Sequence, residues 1–198
     1  MKNGTRWVGV LVFCAGQALA QVPSRSPLET VRLSNERVQA ILKNRAAIDN
    51  PTETALFEVM DGATDFGTIS RRVIDAFRAK LSEVEYAELD RTFRELLRKS
   101  SLRKLGRYRA DRFEYVGEEV RGETALVRTL AFYEEEQVGL DYQMERVSGR
   151  WVIVNYIVDD VDTVRNYRKQ FVRLFAGNDS DGVIRRLKAK IAEIDAER

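Results

Sequence analysis

Apolar residues recur every three to four positions through the first half of the chain. Ser26-Pro27-Leu28-Glu29 has the form of a capping box with proline at the first helical position, and Val31, Val38, Ile41, Leu42 and Ile48 follow at helical spacing. This predicts a helix from Pro27 to Asp49. Asn50-Pro51 ends it, because the residue before a proline is disfavoured in helix. Leu56, Val59 and Met60 predict a short second helix; Phe66, Ile69, Val73, Phe77 and Leu81 predict a third. Ser82-Glu83-Val84-Glu85 is a second capping box, opening a long helix striped by Tyr86, Leu89, Phe93, Leu96 and Leu97 that ends near Gly106.

The period then falls to two. Phe113 and Tyr115, the run from Ala125 to Tyr133, and Leu140, Tyr142 and Met144 alternate between Gly117, Gly122, Gly139 and Gly149. A fourth strand, Trp151 to Val158, is apolar at both parities, which predicts a central strand covered on both faces. Val164, Tyr167, Phe171, Leu174 and Phe175 restore the helical period up to Gly177, and Val183, Ile184, Leu187, Ile191 and Ile194 supply a last helix, with Asp179 or Ser180 as its cap. Helices, then a meander, then helices indicate an α+β fold: N-terminal helices, a four-stranded antiparallel curved sheet, and C-terminal helices. Glu134-Glu135-Glu136 falls where a hairpin turn is expected.

The first twenty residues stand outside this pattern. Lys2 and Arg6 precede about ten apolar residues from Trp7, and Ala18-Leu19-Ala20 is a small-x-small cleavage pattern, so residues 1–20 read as a secretory signal peptide and 21–198 as one domain. The apolar run is shorter than the roughly 20 residues of a bilayer span. Cys14 follows Phe13 rather than a small residue, which argues against a lipid-acceptor cysteine. Loss of Lys2 and Arg6 brings the 33 basic residues level with the 31 acidic ones, and a neutral surface argues against a nucleic-acid partner.

With no His and only Cys14, the chain of 198 residues lacks imidazole acid/base chemistry, imidazole metal sites and an internal disulfide. It also has no Gly-rich phosphate loop. Asp159, Asp160 and Asp162 concentrate acid at the end of a strand, but aspartates before a helix cap its free N–H groups. No catalytic residue, cofactor or metal site is assigned. Large apolar residues on both faces of a small sheet fit a space for an apolar ligand and fit a filled core equally well.

The C-terminal third resembles the MlaC, or toluene-tolerance, family of periplasmic phospholipid carriers. The resemblance is carried by Leu140-Asp141-Tyr142, the strand from Trp151 to Ile157, Val161, the run Asn166-Tyr167-Arg168-Lys169-Gln170-Phe171, and Asp181-Gly182-Val183-Ile184 before Leu187. A weaker likeness runs upstream through Asp65-Phe66, Ile69-Ser70-Arg71-Arg72-Val73 and the stretch from Phe93 to Tyr108. Asn155 stands where the family usually carries Asp, and Asp160 and Asp162 where it usually has Gly and Ser.

The resemblance implies an NTF2-like carrier, not an enzyme, that binds glycerophospholipid tails in an apolar cavity between helices and sheet. It further implies shuttling between an outer-membrane lipoprotein complex and an inner-membrane ABC-type lipid transporter complex, with lipid as ligand and no cofactor. Exposing roughly 30 methylenes to water at about 0.8 kcal/mol each costs on the order of 25 kcal/mol, which is why such a carrier needs a dry sleeve. Under this reading the tails meet Phe66, Ile69, Val73, Phe77, Phe93 and Leu97 on the helices, and Tyr142, Met144, Ile153 and Ile157 on the sheet. Val161, Val164 and Phe171 close the far wall, and Tyr167 and Arg168 stand near the head group. The alternatives are a hopanoid or other lipid carrier of the same family, a ligand-free periplasmic interaction module, and an enzyme on an NTF2-type cone.

Overall fold

The computed structural model describes residues 25–43, 45, 47–107 and 109–197. The signal-peptide reading of residues 1–20 lies outside them. The order is α1 (Pro27–Leu42), α2 (Asn50–Ala63), α3 (Phe66–Ile74), a 3-10 helix (Asp75–Lys80), α4 (Glu83–Arg107), β1 (Arg112–Arg121), β2 (Thr124–Tyr133), β3 (Glu136–Val147), β4 (Arg150–Val158), β5 (Val161–Asp162), α5 (Thr163–Ala176) and α6 (Ser180–Ala196). The fold is α+β with an open antiparallel sheet.

Caps set most of the boundaries. Ser26 Oγ accepts the Glu29 N–H at 3.1 Å. Ser82 and Glu85 form a complete capping box, Glu85 N–H to Ser82 Oγ at 3.3 Å and Ser82 N–H to Glu85 Oε2 at 2.7 Å. The first helix stops at Leu42 rather than Asp49: Asp49 accepts the Thr52 N–H at 2.9 Å and so starts α2, with Pro51 in its first turn where its missing N–H is not needed. The predicted third helix narrows to a 3-10 helix after Ile74, which still delivers Phe77 to the core. Asp179, not Ser180, caps α6, accepting the Gly182 N–H at 2.8 Å.

The sheet is a meander in the order β1-β2-β3-β4-β5, five strands rather than four. The extra strand is the two-residue return Val161–Asp162 after a tight turn in which Asp159 and Asp160 both have positive φ, 46° and 63°. That is the geometry of a two-residue hairpin turn of mirror-image type. β4 is therefore not central. Beyond β5 its outer edge is met by the α2–α3 junction, where the Asp65 N–H donates to the Ile153 carbonyl at 2.9 Å. Helix cover at that edge, not a flanking full-length strand, explains the apolar run.

Two β-bulges decide which residues face inward. In β1 the register steps from Tyr115↔Thr129 to Gly117↔Arg128, leaving Val116 unpaired. In β4 it steps from Asn155↔Gln143 to Ile153↔Met144, leaving Val154 unpaired. Each extra residue inverts the alternation downstream and bends the strand. Trp151 and Ile153 thus share a face with Tyr156 and Val158, opposite Tyr142 and Met144 of β3.

α1 lies on this inner face, with Val31 fully buried against Val127, Met144 and Trp151. The largest core is separate and almost all helical: Val73, Phe77, Phe93, Phe171, Val183 and Leu187 join α3, the 3-10 helix, α4, α5 and α6. α4 and α6 run parallel, joined by Glu85 to Ser180, Lys188 to Glu88 at 2.7 Å and Lys99 to Asp195 at 2.6 Å.

Candidate functional site

Between the inner face of the sheet and the helices lies a cavity of about 180 Å³. Its floor is the sheet, with Phe113, Leu140, Tyr142, Ile153, Tyr156 and Val158. Val38 comes from α1, Met60 from α2, Phe66 and Ile69 from α3, Leu97 and Leu105 from α4, and Tyr167 from α5. The sheet floor exists because the β4 bulge turns Ile153, Tyr156 and Val158 to one side.

A few polar groups interrupt this apolar wall, and most are partnered. Thr64 Oγ1 and Tyr156 OH share a hydrogen bond of 2.6 Å. Tyr142 OH donates to Asn35 Oδ1 at 3.3 Å, and Asn35 Nδ2 donates to Tyr115 OH at 3.4 Å. These last two are long and correspondingly weak. Burial pushes the Tyr156 phenol up to about 12 and the Tyr142 phenol higher still, against the opposing pull of Thr64 and Asn35. Both stay neutral throughout the physiological range. Tyr167 is raised for the same reason, with Ser100 as its hydrogen-bond partner.

A larger hollow of about 540 Å³ lies where α2, α3 and α4 meet, sharing Thr64 and Phe66 with the cavity. It is a charged surface groove. Arg98 clamps Asp61 at 2.9 and 2.6 Å, and Arg94 pairs with Asp90 at 2.7 Å. Such a lining offers an acyl chain little, so the smaller apolar cavity is the candidate site.

Of the residues singled out in the sequence, Phe66, Ile69, Leu97, Tyr142, Ile153 and Tyr167 line the cavity together. Val73, Phe77, Phe93, Val164 and Phe171 sit in the helical core. There Phe93 and Phe171 stack edge to face with ring centroids 4.7 Å apart, and Phe93 meets Tyr167 at 5.2 Å. Met144, 1% exposed, is packed under α1 with Val31. Ile157 lies on the outer face because of the bulge at Val154. Val161 is 53% exposed in β5, and the exposed Arg168 donates to the Arg72 carbonyl.

Tyr156 and Val158 escaped the sequence reading because a bulge leaves no mark in periodicity. Ser100, Ser101 and Lys104 did leave one. They continue the Leu97 stripe of α4 at helical spacing, so the inward stripe turns polar toward the helix end.

The chain matches the family described as MlaC protein over residues 33–189, most of its length. The chain belongs to the MlaC family. The match spans every element from within α1 to within α6, including all the cavity-lining strands. Among solved structures, this MlaC-family chain superposes on the phospholipid-binding protein of Ralstonia solanacearum in complex with a phospholipid. The TM-score is 0.73 at 17% sequence identity, covering 86% of this chain and 99% of the other. No curated protein matches the chain.

Among the described residues no helix is long and apolar enough to cross a membrane, and no group of three acidic or thiol side chains is placed to hold a metal ion.

Proposed function

We propose that this MlaC-family protein is a carrier of glycerophospholipid, holding the acyl chains in the cavity between helices and sheet. The observation that carries the reading is the cavity itself: an apolar hollow at the helix–sheet interface, in a chain of this family and in a fold shared with a phospholipid complex. Phe66, Ile69, Leu97, Tyr142 and Ile153 make the first contacts with a chain. Residues 21–198 act as one exported lipid-binding domain after removal of residues 1–20. It works in the periplasm between an outer-membrane lipoprotein complex and an inner-membrane ABC-type lipid transporter. It performs no chemistry on its cargo.

The size of the cavity constrains the mechanism. The cavity of about 180 Å³ falls well short of two acyl chains, which at about 30 Å³ per methylene need on the order of 900 Å³. Loading must widen the cavity. The wall elements α3, α4 and α5 are welded to one another and to α6 by the largest core, and no residue of α1 belongs to that core. α1 is held to the sheet by the Val31 contacts, a hydrogen bond from Leu28 N–H to Glu118 Oε2 at 2.7 Å, and the two long bonds of Asn35. The C-terminal end of α1 is pinned separately, Leu42 packing with Leu56 and Leu102 and Gln39 donating to the Ala110 and Asp111 carbonyls, so the route of least cost is lifting the N-terminal half of α1.

The test is native mass spectrometry of residues 21–198 purified without detergent, followed by lipid extraction. Co-purifying phospholipid at near-stoichiometric amounts supports the carrier and counts the chains. A bare mass that is unchanged after incubation with phospholipid vesicles refutes it in favour of a ligand-free interaction module.

A further inference from the structure

The cavity is apolar on the sheet side and polar along one seam. Where α1 passes α4 the wall is made of Ser34, Ser100, Ser101 and Lys104. Just outside, a hollow of about 450 Å³ shares Val38, Leu105 and Phe113 with the cavity and continues to Gln39, Lys43 and Arg109. The shared residues set the two spaces side by side, with Lys104 in the wall of the inner one.

Lys104 differs from four basic neighbours on α4 and shares the lack of a salt bridge among the described residues with Arg91, which lies in the charged groove instead. Arg94 pairs with Asp90, Arg98 with Asp61, Lys99 with Asp195 and Arg103 with Glu197. No carboxylate lies within ion-pair distance of Lys104 among the described residues, and its nearest charged influence is the like-charged Arg103. The residue is exposed and yet forms part of an apolar wall, the arrangement of a lysine whose stem covers the cavity while its ammonium reaches for water. Desolvation, followed by Arg103, holds its pKa below the ordinary lysine value. A cation left unpaired at the rim of an apolar hollow awaits an anion that arrives attached to an apolar body.

We infer that the α1–α4 seam is the head-group end of the cavity and that Lys104 binds the phosphate of the lipid there. The inference rests on the carrier reading and adds the place of the head group and the residue that selects it: through Lys104, phosphate-bearing amphiphiles are favoured over neutral lipids of the same chain. The ammonium supplies a charge-assisted hydrogen bond at the point where glycerol leaves the apolar sleeve. Arg168, on the surface of α5 and engaged with the Arg72 carbonyl, does not contribute.

Three probes separate the possibilities: lauroyl-lysophosphatidic acid, monolauroylglycerol, which lacks only the phosphate, and inorganic phosphate. Each is titrated by calorimetry into the wild type, Lys104→Gln, Lys104→Arg and, as a control, Arg168→Gln. Wild type should prefer the lysophosphatidic acid to the monoacylglycerol by about tenfold or more. In Lys104→Gln that ratio should fall toward one through loss of lysophosphatidic acid affinity, Lys104→Arg should restore most of it, and Arg168→Gln should match wild type. Equal affinities for the two lipids in wild type, or a ratio untouched by Lys104→Gln, overturn the head-group assignment and leave the carrier reading standing. Phosphate alone binding as tightly as the phospholipid overturns it too, in favour of a free-anion site. Binding of neither lipid removes the carrier reading and this inference with it. Lys104 is exposed, so the melting temperature of each variant serves as the check that it folds.

Discussion

Asn155 is the residue whose replacement tests the packing of the cavity wall most directly. It is 2% exposed, on the outer face of β4 just past the bulge. Its Oδ1 accepts the buried Val164 N–H at 3.1 Å, and its Nδ2 donates to Gln143 Oε1 at 3.0 Å. Val164 lies in the first turn of α5, where helical N–H groups have no partner within the helix. Asp162 takes the next one, the Arg165 N–H at 2.8 Å. Asn155→Ala leaves the Val164 N–H buried and unpaired, at about 1–3 kcal/mol, while the half-buried Gln143 amide turns to water at little cost. The sum is about 1–3 kcal/mol, which for a domain of this size lowers Tm by about 2–12 °C. Asn155→Asp behaves differently. Its carboxylate still accepts from Val164, gains from the positive end of α5, and is bonded by a reoriented Gln143 amide, which offset the cost of burying a charge, so the loss is smaller than that of Asn155→Ala. Urea denaturation at neutral pH measures both, with an unchanged m-value as the sign that only the native state was altered. Because α5 carries Thr163 and Tyr167 into the cavity, Asn155→Ala should also shorten lipid retention. An Asn155→Ala loss below about 0.5 kcal/mol, or an Asn155→Asp loss as large as that of Ala, refutes the reasoning, since the buried N–H is what separates the two.

Three further outcomes are expected. Ser101→Trp places an indole in the 180 Å³ cavity, so bound lipid should disappear from the native mass spectrum while stability holds or rises by at most about 4 kcal/mol; undiminished lipid would place the cargo elsewhere. Asn35→Ala removes the two long bonds tying α1 to Tyr115 and Tyr142 and should quicken uptake from vesicles at a cost of no more than about 1 kcal/mol; slower uptake would show that α1 is not the moving wall. Glu85, held down to about 2 by hydrogen bonds from Ser180 and then Ser82, links the first turns of α4 and α6. A depressed carboxyl stabilises fully above its unfolded value near 4.5 and loses that contribution as pH falls toward 2, so Glu85→Gln should flatten the acid limb of stability between those values; an unaltered limb would mean that the bond is not made in solution.

Much of the helical scaffold is written locally. Ser26 and Ser82 cap as their sequences require, because a cap involves residues three apart, and the alternation in β2 and β3 survives because nothing interrupts it. The stripe from Leu97 through Ser100 and Ser101 to Lys104 is local as well, since helical spacing alone puts these residues on one face. Where α1 ends and whether β4 sits centrally are not local. They depend on Asp49 starting a new helix and on the α2–α3 junction meeting the edge of β4.

The inner face of the sheet shows the limit most sharply. Parity pairs Ile153 with Ile157, but the unpaired Val154 inverts the strand, so Tyr156 and Val158 reach the cavity and Ile157 points away. Bulges form to fit the strand to its partner, and the composition of β4 is the same with or without one. Phe93 and Phe171 likewise carry the same apolar signature as Leu97, yet lie in the helical core alone, whereas Leu97 belongs to that core and also reaches the cavity wall. The sequence by itself determined the elements, their order, the α+β class and the family. Only the tertiary structure decided which apolar residues bound a space and which fill one, because a cavity is a property of distances between elements, and periodicity records only the face on which each side chain stands.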